Sequence, residues 1–248
     1  MTEGLRGYRV QVLGRIPHPG RGFTQGLIAD GTAVWESSGG YGTSVLCRYP
    51  GGAKAVTEQW SLPDEVFGEG ICLMGDRMWQ LTWRERVAFR WDLATMTSEQ
   101  VTYNRDGWGI CADDAVVYTS DGSSEIVRRN PGTLQPLDVI QVRAAGWRVR
   151  GLNDLAFAAG RIWANIGTTV MIAGIDPATG QVTDVVDAGK ASERFVSDGQ
   201  AIMNGIAPLP AEGEFLLTGK RWRWIRHVRL VPDRHSPSLD RLLSGRSR

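Results

Sequence analysis

Gln25-Gly26-Leu27, Glu69-Gly70-Ile71, Trp108-Gly109-Ile110, Asn153-Asp154-Leu155 and Asn204-Gly205-Ile206 are five copies of one short string. In the first four an aromatic residue, Trp35, Trp79, Tyr118 or Trp163, follows ten positions after the leading residue. The leading residues are 44, 39, 45 and 51 positions apart. A period of about 40 to 50 residues is that of propeller blades. The leading residue also changes from copy to copy, and a ring of unlike side chains at equivalent places is what a binding site on a repeat scaffold looks like.

Within each unit the pattern is that of β-structure. Ala33-Val34-Trp35, Arg77-Met78-Trp79, Ala115-Val116-Val117-Tyr118, Arg161-Ile162-Trp163 and Glu214-Phe215-Leu216 follow Gly or Asp turn signals and read as the second strand of a hairpin. Third strands are expected at Leu46 to Tyr49, Phe89 to Asp92, Val127 to Asn130 and Ile175-Asp176, three of them running into Pro-Gly or Pro-Ala turns. No amphipathic helix of more than a few turns is evident, whereas a helical solenoid needs two per repeat. The expected fold is therefore all-β: a five-bladed β-propeller of four-stranded antiparallel blades.

The chain ends bear on closure. After Asn204 the fifth unit supplies only three strands, the last at Arg226 to Val231, before a polar tail. Tyr8-Arg9-Val10-Gln11-Val12-Leu13 alternates apolar and polar as a half-buried strand does. This N-terminal strand is expected to close the propeller by completing the fifth blade, which removes open sheet edges. Residues 1–235 are read as a single domain and 236–248 as a flexible C-terminal tail.

Composition excludes several classes of function. The 248 residues are 42% hydrophobic, enough to bury a sizeable core. With 28 basic and 27 acidic residues the formal net charge is +1, which offers no field for nucleic acid or an anionic membrane. No apolar run approaches the roughly 18 to 20 residues of a membrane span, and no signal-peptide stretch follows Met1. The expectation is a cytoplasmic monomer. Cys47, Cys72 and Cys111 are odd in number with no CxxC pair, so they indicate neither a disulfide framework nor a zinc site.

In a blade the first strand is innermost and the second runs back beside it, so two rings meet at one rim. The leading ring is Gln25, Glu69, Trp108, Asn153 and Asn204. The second, at the ends of the second strands, is Gly39, Trp83, Gly122, Gly167 and Lys220. Phe23 and Phe67 each stand two places before a leading residue. The expected mouth is thus an apolar pocket with one carboxylate, one ammonium and a few amides.

Phe23-Thr24-Gln25-Gly26-Leu27, Phe67-Gly68-Glu69-Gly70-Ile71, Gln80-Leu81-Thr82-Trp83, Leu152-Asn153-Asp154-Leu155 and Leu216-Leu217-Thr218-Gly219-Lys220-Arg221-Trp222 carry a resemblance. With Gly107-Trp108-Gly109-Ile110, Tyr118 to Ser123 and Ile162-Trp163-Ala164-Asn165, they closely resemble the plant and bacterial glutaminyl-peptide cyclotransferases, over about Tyr8 to Arg229. The resemblance implies a five-bladed propeller that converts N-terminal glutamine of peptides to pyroglutamate with release of ammonia, using no catalytic metal and no cofactor. It carries site roles onto Phe23, Gln25, Phe67, Glu69, Trp83, Trp108, Asn153 and Lys220. The partner it implies is a peptide or protein with an N-terminal glutamine.

The residue types suit that chemistry. Cyclisation needs a neutral α-amine near the γ-carboxamide carbon, a proton moved from amine to departing ammonia, and a stabilised oxyanion. Glu69 is the one carboxylate in the leading ring and is read as general base, then acid. Lys220 and Asn153 are read as stabilising the oxyanion. Gln25 is read as holding the substrate amine or amide, or as an inter-blade hydrogen bond; Trp83 and Trp108, with Phe23 and Phe67, enclose the substrate.

The chain also departs from the family pattern. Gly167 and Val170 stand where the family usually has a tryptophan and an aspartate or similar polar residue, and Asp154-Leu155-Ala156 lacks a glutamate commonly found after the asparagine. Trp147 is an aromatic that could fill the missing wall. The alternative reading is a non-catalytic propeller that binds a peptide or small molecule in the same mouth. The basic residues around Trp222 and Trp224 read as a solvated face, and His18, His227 and His235, without metal-ligand spacing, as exposed or structural.

Overall fold

The computed structural model describes residues 4–193, 202–235 and 238. The expected flexible tail lies outside these residues except for Ser238, whose hydroxyl donates to Asp187 Oδ2 at 2.9 Å.

A long first strand, β1 (Arg6–Pro17), precedes the repeats. The first four-stranded antiparallel sheet is β2 (Thr24–Asp30), β3 (Ala33–Ser38), β4 (Val45–Pro50) and β5 (Glu58–Ser61). The second is β6 (Gly68–Met74), β7 (Arg77–Thr82), β8 (Val87–Asp92) and β9 (Thr97–Thr102). The third is β10 (Ile110–Ala112), β11 (Val117–Ser120), β12 (Glu125–Arg129) and β13 (Pro136–Gln141). A short hairpin not foreseen in the sequence, β14 (Arg143–Ala144) and β15 (Trp147–Arg148), follows.

The remaining strands are β16 (Leu152–Ala158), β17 (Arg161–Ile166), β18 (Met171–Ile175), β19 (Val182–Asp187), β20 (Met203–Pro208), β21 (Glu214–Gly219) and β22 (Trp224–Pro232). They share one eight-stranded sheet with β1, in the order β16-β17-β18-β19-β1-β22-β21-β20. The expected pairing of the N-terminal strand is present: β1 runs antiparallel to β22 from Tyr8↔Pro232 to Pro17↔Trp224. Its first residues, Arg6 to Arg9, also pair in parallel with Asp184 to Asp187 of β19. This second pairing joins two four-stranded runs into one sheet and covers the edge of each.

The first strand of each run meets its neighbours in a closed cycle. Strand β2 packs on β6, β6 on β10, β10 on β16, β16 on β20, and β20 back on β2. Buried hydrophobic residues form clusters in the seams of this cycle, and the repeated aromatics explain why. Trp35 packs with Ile71 and Met78 of the second sheet. Trp79 packs with Ile110 and Val117 of the third. Tyr118 packs with Leu155 and Ile162, and Trp163 with Ile206 and Phe215. One large ring per seam supplies apolar area where flat sheet faces meet, and removal of such a ring from a core costs about 3 to 5 kcal/mol.

At the axis the inner strands approach so closely that side chains are excluded. A Cβ on Gly26 would lie 2.7 Å from the Ile71 nitrogen, one on Gly70 2.7 Å from the Trp108 oxygen, and one on Gly109 2.0 Å from the Asn153 oxygen. The equivalent residue of the fourth copy is Asp154, whose buried carboxylate takes up backbone N–H groups of three inner strands. Oδ1 accepts from the Leu155 N–H and Oδ2 from that of Ile206, both at 3.0 Å, with the Leu27 N–H also donating.

The strand register shifts at four of the five leading residues. Between Thr24 and Gly26, Gly68 and Ile71, Leu152 and Leu155, and Met203 and Ile206, the inner strand carries one residue more than its partner. A bulge frees a residue from the ladder and re-aims its side chain. The repeat string is therefore a string of bulges.

Gly109→Ala forces a methyl group into the Asn153 backbone and is expected to destabilise the fold by about 3 kcal/mol. Gly14→Ala, in open space on β1, is expected to stay within about 0.5 kcal/mol. Urea denaturation of both variants checks the difference.

Candidate active site

A cavity of about 320 Å³ opens at the rim where the inner strands begin. The leading ring supplies Gln25, Glu69, Trp108 and Asn153 to its lining, and the second ring supplies Trp83 and Lys220. Phe23 and Phe67 complete it. The eight residues singled out in the sequence thus lie together around one space. Asn204, the fifth leading residue, does not line it: fully buried below, it donates Nδ2 to Gln25 Oε1 at 2.9 Å and accepts from the Asp154 N–H at 3.3 Å.

Those bonds set the next one. With its amide oxygen taken by Asn204, Gln25 presents its Nε2 to Glu69 Oε1 at 2.9 Å. Gln25 therefore makes the inter-strand hydrogen bond and orients Glu69, and one N–H of its amide remains for a ligand. The chain of bonds from Asp154 through Asn204 and Gln25 to Glu69 spans four inner strands, β16, β20, β2 and β6.

Glu69 is 4% exposed. Burial pushes its carboxyl well above the ordinary range, the positive charge of Lys220 pulls it back, and the carboxylates of Asp154 and Glu85 push it further up. Lys220, 9% exposed, is lowered by burial and raised in part by Glu69. Burial thus disfavours the charged form of each, and the charge of each favours the charged form of the other. Burial likewise raises the Asp154 carboxyl, against the backbone N–H groups that it accepts.

The walls are aromatic. Phe67 meets Phe23 edge-on at 6.1 Å and Trp83 at 5.7 Å between ring centroids. Tyr41 packs behind Phe67 at 5.5 Å and donates its hydroxyl to Glu85 Oε1, a supporting contact that no repeat position marks. The Lys220 ammonium stands 4.5 Å from the centre of the Phe23 ring. Asn153 is 6% exposed and its side-chain oxygen has no hydrogen-bond partner, which leaves an amide ready for a ligand.

The second ring is small where a neighbour's ring lies over it. A Cβ on Gly39 would meet Phe67 Cε1 at 2.1 Å, and one on Gly122 would meet the Trp108 ring at 2.7 Å. A Cβ on Gly167 would meet Gly151 O at 3.3 Å, Trp108 Cζ3 at 3.9 Å and Asn153 Nδ2 at 4.0 Å, so this half-buried glycine is packed at ordinary contact distance, without an indole of its own. Trp147 does not supply that ring. That indole is 61% exposed on the β14–β15 hairpin and takes no part in the lining.

Cys47, Cys72 and Cys111 are buried and unpaired, and burial pushes the Cys47 and Cys72 thiols up to about 12. Among the described residues no three His, Cys, Asp or Glu side chains gather as a metal site. No helix of the described residues is long and apolar enough to cross a membrane.

The sequence profile of the glutamine cyclotransferases matches residues 2–230. The chain belongs to the glutamine cyclotransferase family. The curated glutaminyl-peptide cyclotransferase of Arabidopsis thaliana is 30% identical over 227 residues, which are 89% of this chain and 71% of that protein. The crystal structure of Myxococcus xanthus glutaminyl cyclase aligns with a TM-score of 0.86 at 30% identity, covering 92% of this chain and 99% of that one.

Asp154, buried below the mouth with a carboxylate that pushes the Glu69 carboxyl up, was given no role from the sequence. The signal was present, since it alone replaces glycine after a leading residue.

Because the folded Glu69 carboxyl is raised above its ordinary 4.5, its ionisation opposes folding once the pH exceeds that value. Glu69→Gln keeps a partner for Gln25 and removes this charge. It is expected to raise stability by about 1 kcal/mol at neutral pH and to have no such effect below pH 4, by denaturant titration at both pH values.

Proposed function

We propose that the chain is a five-bladed β-propeller, closed by β1 as the outer strand of its fifth blade, and that it converts N-terminal glutamine of peptides to pyroglutamate. The observation that carries this reading is a buried carboxylate, Glu69, and a buried ammonium, Lys220, facing one aromatic-walled cavity. Family membership and the two relatives named above support it.

In the proposed reaction the neutral α-amine of the substrate attacks the γ-carboxamide carbon, forming the lactam C–N bond. Glu69 accepts the proton released by the attacking nitrogen and returns it to the amide nitrogen, which leaves as ammonia as the old C–N bond breaks. A raised carboxyl suits this double role, because its ionised form is a stronger base than an ordinary carboxylate and its protonated form can return the proton. Lys220 and the Asn153 amide stabilise the tetrahedral oxyanion. Phe23, Phe67, Trp83 and Trp108 surround the glutamine side chain and keep out water that would hydrolyse rather than cyclise it. No step needs a metal.

Gly167, where the resemblance leads one to expect a tryptophan, favours a second reading, in which the same mouth binds a peptide without acting on it. Purified protein incubated with a short glutaminyl peptide separates the two. Release of one equivalent of ammonia, unaffected by a chelator, supports the cyclotransferase, and binding without turnover supports the second reading. Glu69→Ala is expected to lower kcat by at least about 100-fold, and Lys220→Met by about 100- to 1000-fold.

The pH profile follows from the shifts. A base with a raised pKa loses activity on the acid side above its ordinary 4.5, and a cation with a lowered pKa loses it on the alkaline side below its ordinary 10.5. The kcat profile is expected to be a bell narrower than those limits. Lys220→Met is expected to move the acid limb upward, since the Lys220 charge holds the Glu69 carboxyl down.

A further inference from the structure

His18 was expected to be exposed or structural, and it is 4% exposed, in the seam where the last inner hairpin meets the first sheet. Its two ring nitrogens face two acceptors. Nδ1 lies 2.9 Å from the Trp222 carbonyl oxygen, so it carries a hydrogen. Nε2 lies 2.9 Å from Glu36 Oε1 and 3.0 Å from Oε2. Glu36 is 2% exposed, and its oxygens already accept from the hydroxyls of Thr24 and Tyr49, both at 2.8 Å. A carboxylate with two O–H donors is satisfied as an anion, and a ring with two acceptors is satisfied as an imidazolium. The arrangement is a buried ion pair.

Each end of this pair reaches a part of the active site. Trp222 closes a tight turn by donating its N–H to the Gly219 carbonyl at 3.1 Å, and Lys220 and Arg221 are the central residues of that turn. Arg221 has φ of 60°, a left-handed conformation that costs free energy for a residue with a side chain and persists only where the surroundings hold it. The surroundings here are the segment that carries His18. The Arg221 N–H donates to Gly22 O at 2.8 Å and the His18 N–H to Arg223 O at 3.0 Å. At the other end Glu36 takes the hydroxyl of Thr24, whose neighbour Gln25 bonds Glu69.

We propose that the His18–Glu36 pair positions Lys220: it clamps the Gly219–Trp222 turn to β2 and so sets the spacing of the Lys220 ammonium from the Gln25–Glu69 pair. This inference rests on the reading above in which Lys220 stabilises the oxyanion. His18 and Glu36 touch no substrate, and they act through the turn.

The titratable groups around His18 are Glu36 on β3, Tyr49 on β4 and Glu193 beyond β19; Arg226 of β22 pairs with Glu193 at 3.3 Å. Burial lowers the imidazole, and Glu36, the Trp222 carbonyl and Glu193 together raise it above its ordinary 6.5. Burial raises the Glu36 carboxyl, and His18, Thr24 and Tyr49 bring it below its ordinary 4.5. The pair's full contribution therefore spans the interval between 4.5 and 6.5. It is lost as pH rises through the raised His18 value and as pH falls through the lowered Glu36 value.

The test is a double-mutant cycle on kcat and KM for a short glutaminyl peptide, with His18→Gln and Lys220→Met singly and together, each variant checked for folding by circular dichroism. His18→Gln retains a donor for Glu36 but loses the charge and the bond to Trp222. The expected result is a fall in kcat of about 10- to 100-fold with KM changed less than about 3-fold, and a further change of less than about 2-fold when Lys220 is already Met. Equal losses in both backgrounds mean that His18 serves the fold in general and overturn the proposal, as does an unchanged kcat in folded His18→Gln. If Lys220→Met alone matches the wild type, the premise about Lys220 fails, and that result is distinct from a failure of His18. Should His18→Gln not fold, Tyr49→Phe removes one donor from Glu36 without removing the ring. In the same cycle it is expected to lower kcat by about 3-fold in the Lys220 background alone.

Discussion

The crowding of inner strands at the axis is the constraint on which the rest of the structure depends. Where Gly26, Gly70 and Gly109 pass their neighbours, a methyl group would lie 2.0 to 2.7 Å from another strand's backbone. Close approach of this kind leaves no room for side chains between the strands. The bulges at the same points lift the preceding residues out of the ladder, so Gln25, Glu69 and Asn153 gather at the rim above. Scaffold and site are therefore built by the same few residues. The one break in the glycine series, Asp154, aims a buried carboxylate at the backbone N–H groups of Leu155, Ile206 and Leu27.

That placement has an electrostatic result. Burying Glu69 and Lys220 at one cavity costs solvation for both, and each offsets part of the cost for the other. Asp154 and Glu85 tilt the balance toward a protonated Glu69, while Lys220 tilts it back. A carboxyl poised in this way suits proton transfer better than one fully ionised in water. The hydrogen bonds from Asn204 through Gln25 fix its orientation.

Much of this was legible in the chain because the repeat is a record of geometry. The glycines mark close approach, the aromatics ten residues on mark the seams between sheets, and the leading residues mark the mouth. The parallel pairing of β1 with β19 was not legible, since edge pairing between distant strands leaves no periodic trace at Arg6 to Arg9. His18 was not legible either: a lone histidine before the first repeat carries no spacing, and its role depends on a carbonyl 204 positions away. Trp147 misled for the opposite reason. An indole near the mouth in sequence sits on a hairpin that turns it outward, away from the cavity lining.

The sequence by itself determined the all-β class, the number and spacing of the repeats, and, with the family resemblance, a set of candidate residues for the mouth, because class and repeat follow from local pattern and period. Tertiary structure alone decided which of the leading residues face the cavity and which, like Asn204, brace it from below. It also decided that Gln25 bonds Glu69, and that burial and neighbouring charges shift Glu69 and Lys220 toward each other. Those outcomes depend on distances between strands tens of residues apart and on the water excluded between them, and neither is written in any one stretch of the chain.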